Sequence, residues 1–186
     1  MIWRVLIGCM SDGCLVIMVG LPGTGKSTLA RAIAAATGSI VLDKDNVRAA
    51  LFPEAWIEYS QVQDDFCVEL LLQAAGYLLN APRVPPFIFI DGRVFAFRYQ
   101  VERVVSWATG AGCRFKIIQT VCSDETAHER LQAGSHPAAN RTYELYLELK
   151  TRFEDIQYPK LTLDTEQSIQ ASVNRCLSYL GVKHTE

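Results

Sequence analysis

The chain alternates between short, continuous apolar runs and longer segments in which apolar residues recur with helical spacing. A short continuous apolar run bounded by turn residues is typical of a strand that is buried on both faces of a parallel sheet. Such runs predict strands over residues 14–19, 39–42, 87–90, 115–121 and 161–163. Helical spacing predicts helices over 27–36, 45–52, 57–79, 97–110, 124–131, 142–153 and 167–180. Strand and helix therefore take turns along the chain.

The longest predicted helix covers residues 57–79. It carries Val62, Phe66, Leu70 and Tyr77 at spacings close to multiples of a helical turn. We expect this apolar side to pack in the core and to form the wall of a ligand pocket.

Polar residues mark the starts of two later helices. Ser123 or Asp124 is predicted to cap the helix that runs to about residue 131, because short polar side chains accept hydrogen bonds from free helical N–H groups. The DTEQ segment at 164–167 fits the capping pattern of the last helix.

The order of the elements predicts the fold class. Strands that alternate with helices imply right-handed crossovers and an α/β fold. We expect a five-stranded, mainly parallel sheet with helices on both faces. No repeat or linker interrupts the pattern, so one domain is predicted over 14–182.

Residues 1–13 precede the first predicted strand. The first ten are mostly apolar, but a bilayer needs roughly 20 such residues, and the features of a signal peptide are missing. The segment is either an N-terminal extension that adds an edge strand, or the result of a start codon that was assigned too early. In the second case Met10 is the true first residue. We favour the second interpretation, and we expect no membrane partner.

The amino-acid composition excludes several classes of protein. The chain has 186 residues, of which 49% are hydrophobic and 20% charged, so a sizeable core is expected. Lys and Arg number 18 against 20 Asp and Glu, a net charge of -2 that argues against a polyanion-coating protein. Six scattered cysteines without zinc-ligand spacing predict reduced thiols and a cytoplasmic location.

The segment between the first strand and the first helix reads GLPGTGKS, from Gly20 to Ser27. It matches the P-loop pattern GxxxxGK[ST] at every fixed position, in the strand-to-helix context that the pattern requires. Its glycines let backbone N–H groups turn inward around phosphates. The residues predicted to bind the nucleotide are Gly20, Gly23, Thr24, Gly25, Lys26, Ser27 and Thr28.

Within this loop two side chains have distinct predicted roles. Lys26 would reach the β- and γ-phosphates, and the Ser27 hydroxyl would bind Mg²⁺. The sequence therefore predicts a P-loop NTPase or kinase fold. ATP is favoured over GTP because no NKxD-type guanine-reading element occurs in the chain.

The carboxyl end of the second strand is the place to look for an acceptor site, because ligands bind outside those ends in open parallel sheets. There the chain reads VLDKDNVR, and Asp45 and Arg48 are three residues apart, on one face of a helical turn. Asp45 could accept a hydroxyl proton while Arg48 holds an acceptor phosphate or developing charge. Alternatively, Asp43 or Asp45 only caps the helical turn.

The segments GLPGTGKSTLARAIA and LDKDNVR together resemble the small P-loop kinases grouped with phage-type polynucleotide 5′-kinase, chloramphenicol phosphotransferase and the zeta-toxin kinases. The resemblance covers residues 14–180, and its shared feature is the DxxR element after the second strand. It implies that Asp45 is the hydroxyl-activating aspartate and that Arg48 contacts acceptor or phosphate. It also implies that Asp91, at the end of the third strand, lies either near Mg²⁺, on which it would act indirectly, or near the acceptor. Alternatively, Asp91 is only a turn residue before Gly92.

The same resemblance implies a small helical lid at about 131–145 that closes over the γ-phosphate with a basic residue. Arg130 and Arg141 are the candidates, although Gln132-Ala133-Gly134 stands where the family pattern has an arginine. Asp164 and Thr165 match the end of the last strand, near which the adenine ring usually lies.

Basic and aromatic residues also follow the third strand: Arg93, Arg98, Tyr99, Arg103, Trp107 and Arg114. Such a set is typical of a nucleic-acid surface or, more often, of a solvated helix face. We therefore expect an ATP- and Mg²⁺-dependent phosphotransferase whose acceptor is a small-molecule hydroxyl. The alternatives are a polynucleotide 5′-hydroxyl kinase, an ATPase or switch without an acceptor, and a non-catalytic nucleotide-binding protein.

Overall fold

The computed structural model describes residues 13–133 and 141–182. The strands are β1 (Cys14–Val19), β2 (Ile40–Asp43), β3 (Phe87–Asp91), β4 (Arg114–Val121) and β5 (Leu161–Asp164). The helices are α1 (Lys26–Thr37), α2 (Lys44–Leu51), α3 (Gln61–Leu79), α4 (Arg98–Gly110), α5 (Asp124–Ala133), α6 (Tyr143–Arg152) and α7 (Ile169–Leu180), with a short 3-10 helix at Glu54–Trp56.

The strands of the described residues form one sheet in the order β2-β3-β1-β4-β5, and every pairing is parallel. The predicted α/β class with a five-stranded parallel sheet is thus confirmed. β1 lies at the centre of the sheet, and the strand order reverses there, since β3 and β4 flank it on opposite sides. The carboxyl end of β1 is therefore the position at which open parallel sheets bind ligands.

Both faces of the sheet are covered, which explains why the strands are continuous apolar runs. Leu15 and Ile17 of β1 point into a core formed with α3 and α4, whereas Val16 and Met18 point into a core formed with α1 and α7. All four side chains are fully buried. Because successive strand residues alternate between the two faces, a strand between two helical layers has no polar position.

The predicted orientation of α3 is wrong. Val62, Phe66 and Tyr77 are exposed, at 79%, 50% and 78%, and the helix turns a different row of residues to the core. That buried row consists of Cys67, Val68, Leu71, Leu72, Ala75 and Leu79. The helix is apolar on most of its circumference, so periodicity alone does not single out its buried side.

Two predicted helix starts are also corrected. α3 begins at Gln61 rather than near residue 57, because Ser60 Oγ accepts a hydrogen bond from Gln63 N at 3.1 Å and so caps the helix. α7 begins at Ile169, and its cap is Ser168 rather than the segment 164–167. In both places the side chain that reaches the free N–H groups decides the boundary.

The state of the cysteines bears on the prediction of reduced thiols. The five described cysteines are free thiols, in keeping with the predicted reduced state.

Within 13–133 and 141–182 no helix is long and apolar enough to cross a bilayer. Residues 1–12, which include the predicted extension, and residues 134–140 at the centre of the predicted lid lie outside the described residues.

Candidate active site

The loop between β1 and α1 has the backbone shape that its glycines predict. Gly20, Gly23 and Gly25 all have positive φ, at 144°, 81° and 82°. A Cβ atom at Gly20 would lie 2.5 Å from Thr120 O, and one at Gly23 would lie 2.8 Å from Ala127 O. The loop is therefore pressed against β4 and α5, and larger residues would not fit at these two positions.

The loop presents the amino end of α1 to the cavity. Gly25 occupies the N-cap position and has no side chain with which to cap the first turn. The N–H groups of Lys26, Ser27 and Thr28 thus keep their hydrogen-bonding capacity for an anion, at the positive end of the helix dipole. Ser27 is half-buried and Thr28 is exposed. The start of α1 thus has an uncapped backbone of the kind that binds phosphate, and the roles of the individual ligands stay predictions.

Lys26 lies inside the curl of this loop. Its Nζ donates hydrogen bonds to Gly20 O at 2.6 Å and to Leu21 O at 3.0 Å. Burial lowers the pKa of Lys26 to about 8, and the nearby carboxylates of Asp91 and Asp45 oppose that shift. A phosphate would supply the negative charge that this buried ammonium group needs.

Thr24 differs from the other predicted nucleotide ligands. Its hydroxyl donates to Leu21 O at 2.7 Å and lies 2.8 Å from the hydroxyl of Thr120 on β4. The residue is buried. The side chain therefore holds the loop in shape, and a direct role of Thr24 in nucleotide binding stays a prediction.

The structure gives different roles to the last residue of β2, Asp43, and to Asp45 in the first turn of α2. Asp43 caps α2, because its Oδ1 accepts hydrogen bonds from Asp45 N at 2.9 Å and Asn46 N at 3.4 Å. Burial beside Asp91 raises the pKa of Asp43. Because Asp43 does the capping, Asp45 is available for another purpose, and its Oδ1 accepts a hydrogen bond from Arg48 Nη1 at 2.8 Å.

Asp45 belongs to a buried cluster of two cations and two carboxylates. Lys44 Nζ lies 3.0 Å from Asp45 Oδ1 and 2.7 Å from Oδ1 of Asp64, and Arg48 Nη2 also contacts Asp64. Lys44, Asp45 and Arg48 are each more than nine-tenths buried. Such pairs hold their geometry because either charge alone would be costly in this position.

Lys44 and Asp64 are members of this site that the sequence pattern did not predict. One sequence feature could have indicated Lys44, since it lies between two acids at the end of a predicted strand. The feature that could have indicated Asp64 is weaker: it is an acidic residue in the first turn of a mostly apolar helix. Only the packing of α3 against α2 brings it to Arg48.

Asp91 lies at the end of β3, beside Asp43 of β2 in the sheet register. It is fully buried, and neither of its carboxylate oxygens has a hydrogen-bond partner among the described residues. A buried carboxylate without a donor indicates a missing water or cation. The charge of Asp91 raises the pKa of the nearby Lys26.

These residues fit a Mg²⁺ ion of the type found in phosphoryl-transfer sites. Within the described chain no three acidic, histidine or cysteine side chains form a protein-only metal cage. Mg²⁺ usually keeps several waters and takes one or two protein ligands plus substrate phosphates, so a cage is not needed. Ser27 would supply the direct ligand, and Asp91 would act on the ion through water.

The structure places the two candidate lid arginines on different sides of the loop. Arg141 lines the same cavity as Lys26 and Ser27. Burial lowers the pKa of Arg141, and the nearby carboxylates of Asp45 and Asp91 oppose that shift. Arg141 therefore approaches the phosphate loop from the side of the carboxylates.

Arg130 approaches the loop from the opposite side. Its Nη1 donates to Thr165 Oγ1 at 2.9 Å, and its Nη2 donates to Thr165 O at 2.8 Å. Thr165 in turn donates to Thr24 O at 3.0 Å. Asp164 accepts a hydrogen bond from Glu166 N at 2.9 Å and is exposed. The predicted adenine side of the loop thus contains Arg130 and Thr165.

A single cavity of about 270 Å³ joins the phosphate loop to the carboxylate cluster. Its wall includes Lys26, Ser27, Asp45 and Arg48. The two described non-glycine residues with positive φ, Tyr59 at 51° and Phe95 at 56°, also line it. A positive φ is an energetically unfavourable conformation for a non-glycine residue, and such residues are concentrated at binding sites.

Solved structures with the same fold include two kinases and a protein in complex with a nucleotide. APS kinase of Mycobacterium tuberculosis, in complex with AMPPNP and APS, has a TM-score of 0.69 at 17% identity, over 91% of this chain and 98% of that one. A gluconokinase of Sinorhizobium meliloti 1021 has a TM-score of 0.64 at 19% identity, over 92% and 93%. Kti12 of Chaetomium thermophilum, in complex with ADP-AlF3, has a TM-score of 0.65 at 17% identity, over 90% and 97%.

These likenesses establish a P-loop kinase-like fold. No curated protein matches the chain. Membership of the narrower group with polynucleotide 5′-kinase and the zeta-toxin kinases stays a prediction. A family model described as an AAA domain matches residues 15–155, which include the phosphate loop, the DxxR element and Asp91. The chain therefore belongs to the AAA_33 family of P-loop domains.

Proposed function

We propose that the protein is an ATP-dependent phosphotransferase that moves the γ-phosphate to a hydroxyl group of a small molecule. One observation carries this proposal: the phosphate loop and a buried carboxylate open into the same cavity. Lys26 and Ser27 form one side of it and Asp45 with Arg48 the other. Donor and acceptor can therefore meet without bulk water between them.

Asp45 is the proposed base. Within the described residues Arg48 Nη1 and Lys44 Nζ both contact its Oδ1 atom. Oδ2 is then the oxygen that accepts the proton of the acceptor hydroxyl as that oxygen attacks phosphorus. The two cations fix the carboxylate in place, so that little rearrangement accompanies proton transfer.

The remaining roles follow from position. Lys26 binds the β- and γ-phosphates, and the N–H groups at the start of α1 bind their oxygens. A Mg²⁺ ion on Ser27 would neutralise charge between the β- and γ-phosphates. Arg141 covers the γ-phosphate from the carboxylate side, whereas Arg130 and Thr165 lie where the predicted adenine site would be.

The similar structures support a nucleotide as donor. The APS kinase structure contains AMPPNP and that of Kti12 contains ADP-AlF3. The small cavity supports a small acceptor, because 270 Å³ is near the lower end of the size range of small-molecule sites.

A γ-phosphate transfer assay tests the proposal. Wild type, Lys26→Ala, Asp45→Asn and the surface control Asp155→Asn would be incubated with Mg²⁺ and labelled ATP. The acceptors would be a pool of small alcohols and, separately, DNA and RNA with a 5′-hydroxyl. We expect labelled small-molecule product with wild type and Asp155→Asn, and at least about 10²-fold less with the other two variants. Label on nucleic acid alone would establish a polynucleotide kinase, and label released only as free phosphate would establish an ATPase.

A further inference from the structure

The wall of the shared cavity carries more positive than negative charge. Six cationic side chains line it: Lys26, Lys44, Arg48, Arg93, Arg141 and Arg152. The carboxylates in the same wall are Asp45, Asp64 and Glu148. A surplus of cationic side chains therefore faces a ligand in the cavity, while Asp91 and Asp65 lie behind the wall and act on Lys26 and Arg93.

The carboxylates neutralise only part of this charge. Asp45 and Asp64 contact Lys44 and Arg48. Glu148 Oε1 lies 3.0 Å from Nη1 of Arg152, at the exposed rim. Lys26 is assigned above to binding the nucleotide phosphates. Of the remaining cations, Arg141 is assigned above to the γ-phosphate, and this leaves Arg93 without a role in phosphotransfer.

Arg93 is held firmly at the acceptor end of the cavity. It is 4% exposed, and one of its terminal nitrogens, Nη1, contacts Asp65 of α3. Its Nε atom is buried and has no hydrogen-bond partner among the described residues. A buried guanidinium N–H without an acceptor is costly, and it indicates a ligand atom that completes the site.

Arg48 shows the same feature. Its Nε atom is also buried without a hydrogen-bond partner within 13–133 and 141–182, and its guanidinium carbon lies 5.1 Å from the ring centroid of Tyr59. Arg93 and Arg48 both lower the pKa of Lys44, so the three cations are close together. Their mutual repulsion would be relieved by one bound anion.

Gly92 fixes the distance between Arg93 and the proposed base. A Cβ atom at Gly92 would lie 2.7 Å from Lys44 N and 3.0 Å from Asp45 N. The end of β3 is thus packed directly against the start of α2. Arg93, as the next residue, is placed within the reach of one small molecule from Asp45.

We propose that the acceptor is an alcohol that also carries an anionic group, a phosphate, sulfate or carboxylate, which Arg93 binds together with Arg48 while the hydroxyl faces Asp45. This inference rests on the proposed function and names its substrate class. Arg93 is a specificity-determining residue in this arrangement. It orients the acceptor through charge-assisted hydrogen bonds and takes no part in proton or phosphoryl transfer.

The test uses matched acceptors and a matched control. Ribose with ribose 5-phosphate, glucose with glucose 6-phosphate, and glycerol with glycerate differ by one anionic group each. Arg93→Gln removes the charge, whereas Arg93→Lys keeps a charge that can pair with Asp65. The control is Arg103→Gln, because Arg103 contacts Asp65 and Glu69 but does not line the cavity.

A second readout does not depend on turnover. Radiolabelled inorganic sulfate would be dialysed to equilibrium against protein that has been saturated with AMPPNP and Mg²⁺, so that the phosphate loop is filled. We expect saturable binding to wild type and Arg103→Gln, at least tenfold weaker binding to Arg93→Gln, and an intermediate value for Arg93→Lys. A far-UV circular dichroism spectrum of each variant checks its fold.

The outcomes separate the two proposals. We expect transfer to an anionic alcohol, with a KM that rises at least tenfold in Arg93→Gln while kcat changes less than threefold. Transfer to neutral alcohols at the same rate in all variants, or sulfate binding unchanged in a folded Arg93→Gln, would overturn the inference and leave the kinase intact. Sulfate binding that depends on Arg93 without transfer to any acceptor would overturn the proposed function and keep the anion site. Transfer only to a 5′-hydroxyl polynucleotide would overturn the small-molecule class.

Discussion

The Nη1 atom of Arg48 lies 2.8 Å from Oδ1 of Asp45, and both residues are more than nine-tenths buried. The pair sits one helical turn from the end of β2, where Asp43 caps α2 and so leaves Asp45 to face the cavity. Substituting Asp45 is therefore the most direct test of the chemistry. We expect Asp45→Asn to lower phosphotransfer by about 10²- to 10⁴-fold and to leave ATP binding nearly unchanged, because Asn keeps the shape but accepts no proton.

The matched control for this change is Asp155→Asn, which alters a surface acid that pairs with Lys160 at 3.3 Å. Steady-state transfer and equilibrium binding of a labelled ATP analogue would be measured for both. Equal transfer by Asp45→Asn and wild type would exclude Asp45 as the base.

The pH dependence of nucleotide binding depends on Lys26. Its pKa in the folded protein is about 8, against 10.5 for an ordinary lysine, because of burial. Lys26 is therefore charged below pH 8 and loses its charge as the pH rises through that value. Since phosphates bind the charged form, the affinity for MgATP should be level below pH 8 and fall above it, by up to about tenfold per pH unit.

The control for the pH profile is Lys26→Arg, which keeps its charge at every pH used and should give a weaker but level profile. Binding would be followed by calorimetry. An unchanged fall above pH 8 in Lys26→Arg would assign the titration to another group, of which Lys44 is the first candidate because burial also lowers its pKa to about 8.

The cap at Asp43 should affect both stability and activity. Asp43→Ala removes the acceptor for two N–H groups of α2 and should cost about 0.5–2 kcal/mol of unfolding free energy. Ser168→Ala removes the cap of α7, far from the cavity, and should cost a similar amount. Urea unfolding and transfer assays would be run on both. Only Asp43→Ala should lose transfer activity, because only α2 carries Asp45 and Arg48.

Gly92 should be intolerant of a side chain. It has a φ of 84°, and a Cβ atom there would lie 2.6 Å from Asp43 Oδ1 and 2.7 Å from Lys44 N. We expect Gly92→Ala to destabilise the fold by about 1–3 kcal/mol and to displace the start of α2. Gly110→Ala, at the end of α4 with open space around it, should change stability by less than about 1 kcal/mol. Similar denaturation midpoints for the two variants would contradict this account.

The two candidate lid arginines should differ in kinetics. Arg141 lines the cavity with Lys26, so Arg141→Ala should lower kcat by about 10²- to 10³-fold, as the loss of a charge on the transferred phosphoryl group does. Arg130 is bonded to Thr165, so Arg130→Ala should mainly raise the KM for ATP. Steady-state kinetics with varied ATP distinguish these effects. If Arg130→Ala lowered kcat and Arg141→Ala mainly raised the KM for ATP, Arg130 would be the arginine that covers the γ-phosphate.

The pattern of the sequence determined the fold class and the phosphate loop. Both depend on neighbouring residues: a buried strand between two helical layers must be apolar at every position, and the loop must have glycine where φ is positive. The order of strands and helices along the chain then implies the parallel sheet. The DxxR element likewise placed Asp45 and Arg48 on one face, because three residues make nearly a full helical turn.

Only the tertiary structure decided which residues complete the site. Asp64 and Arg93 reach the cavity from α3 and from the end of β3, and their contacts join residues far apart in the chain. The buried side of α3 and the sides taken by Arg130 and Arg141 were likewise set by packing. Local patterns fix what each segment can form, whereas the burial of charge and the fit of one element against another fix which side chains meet.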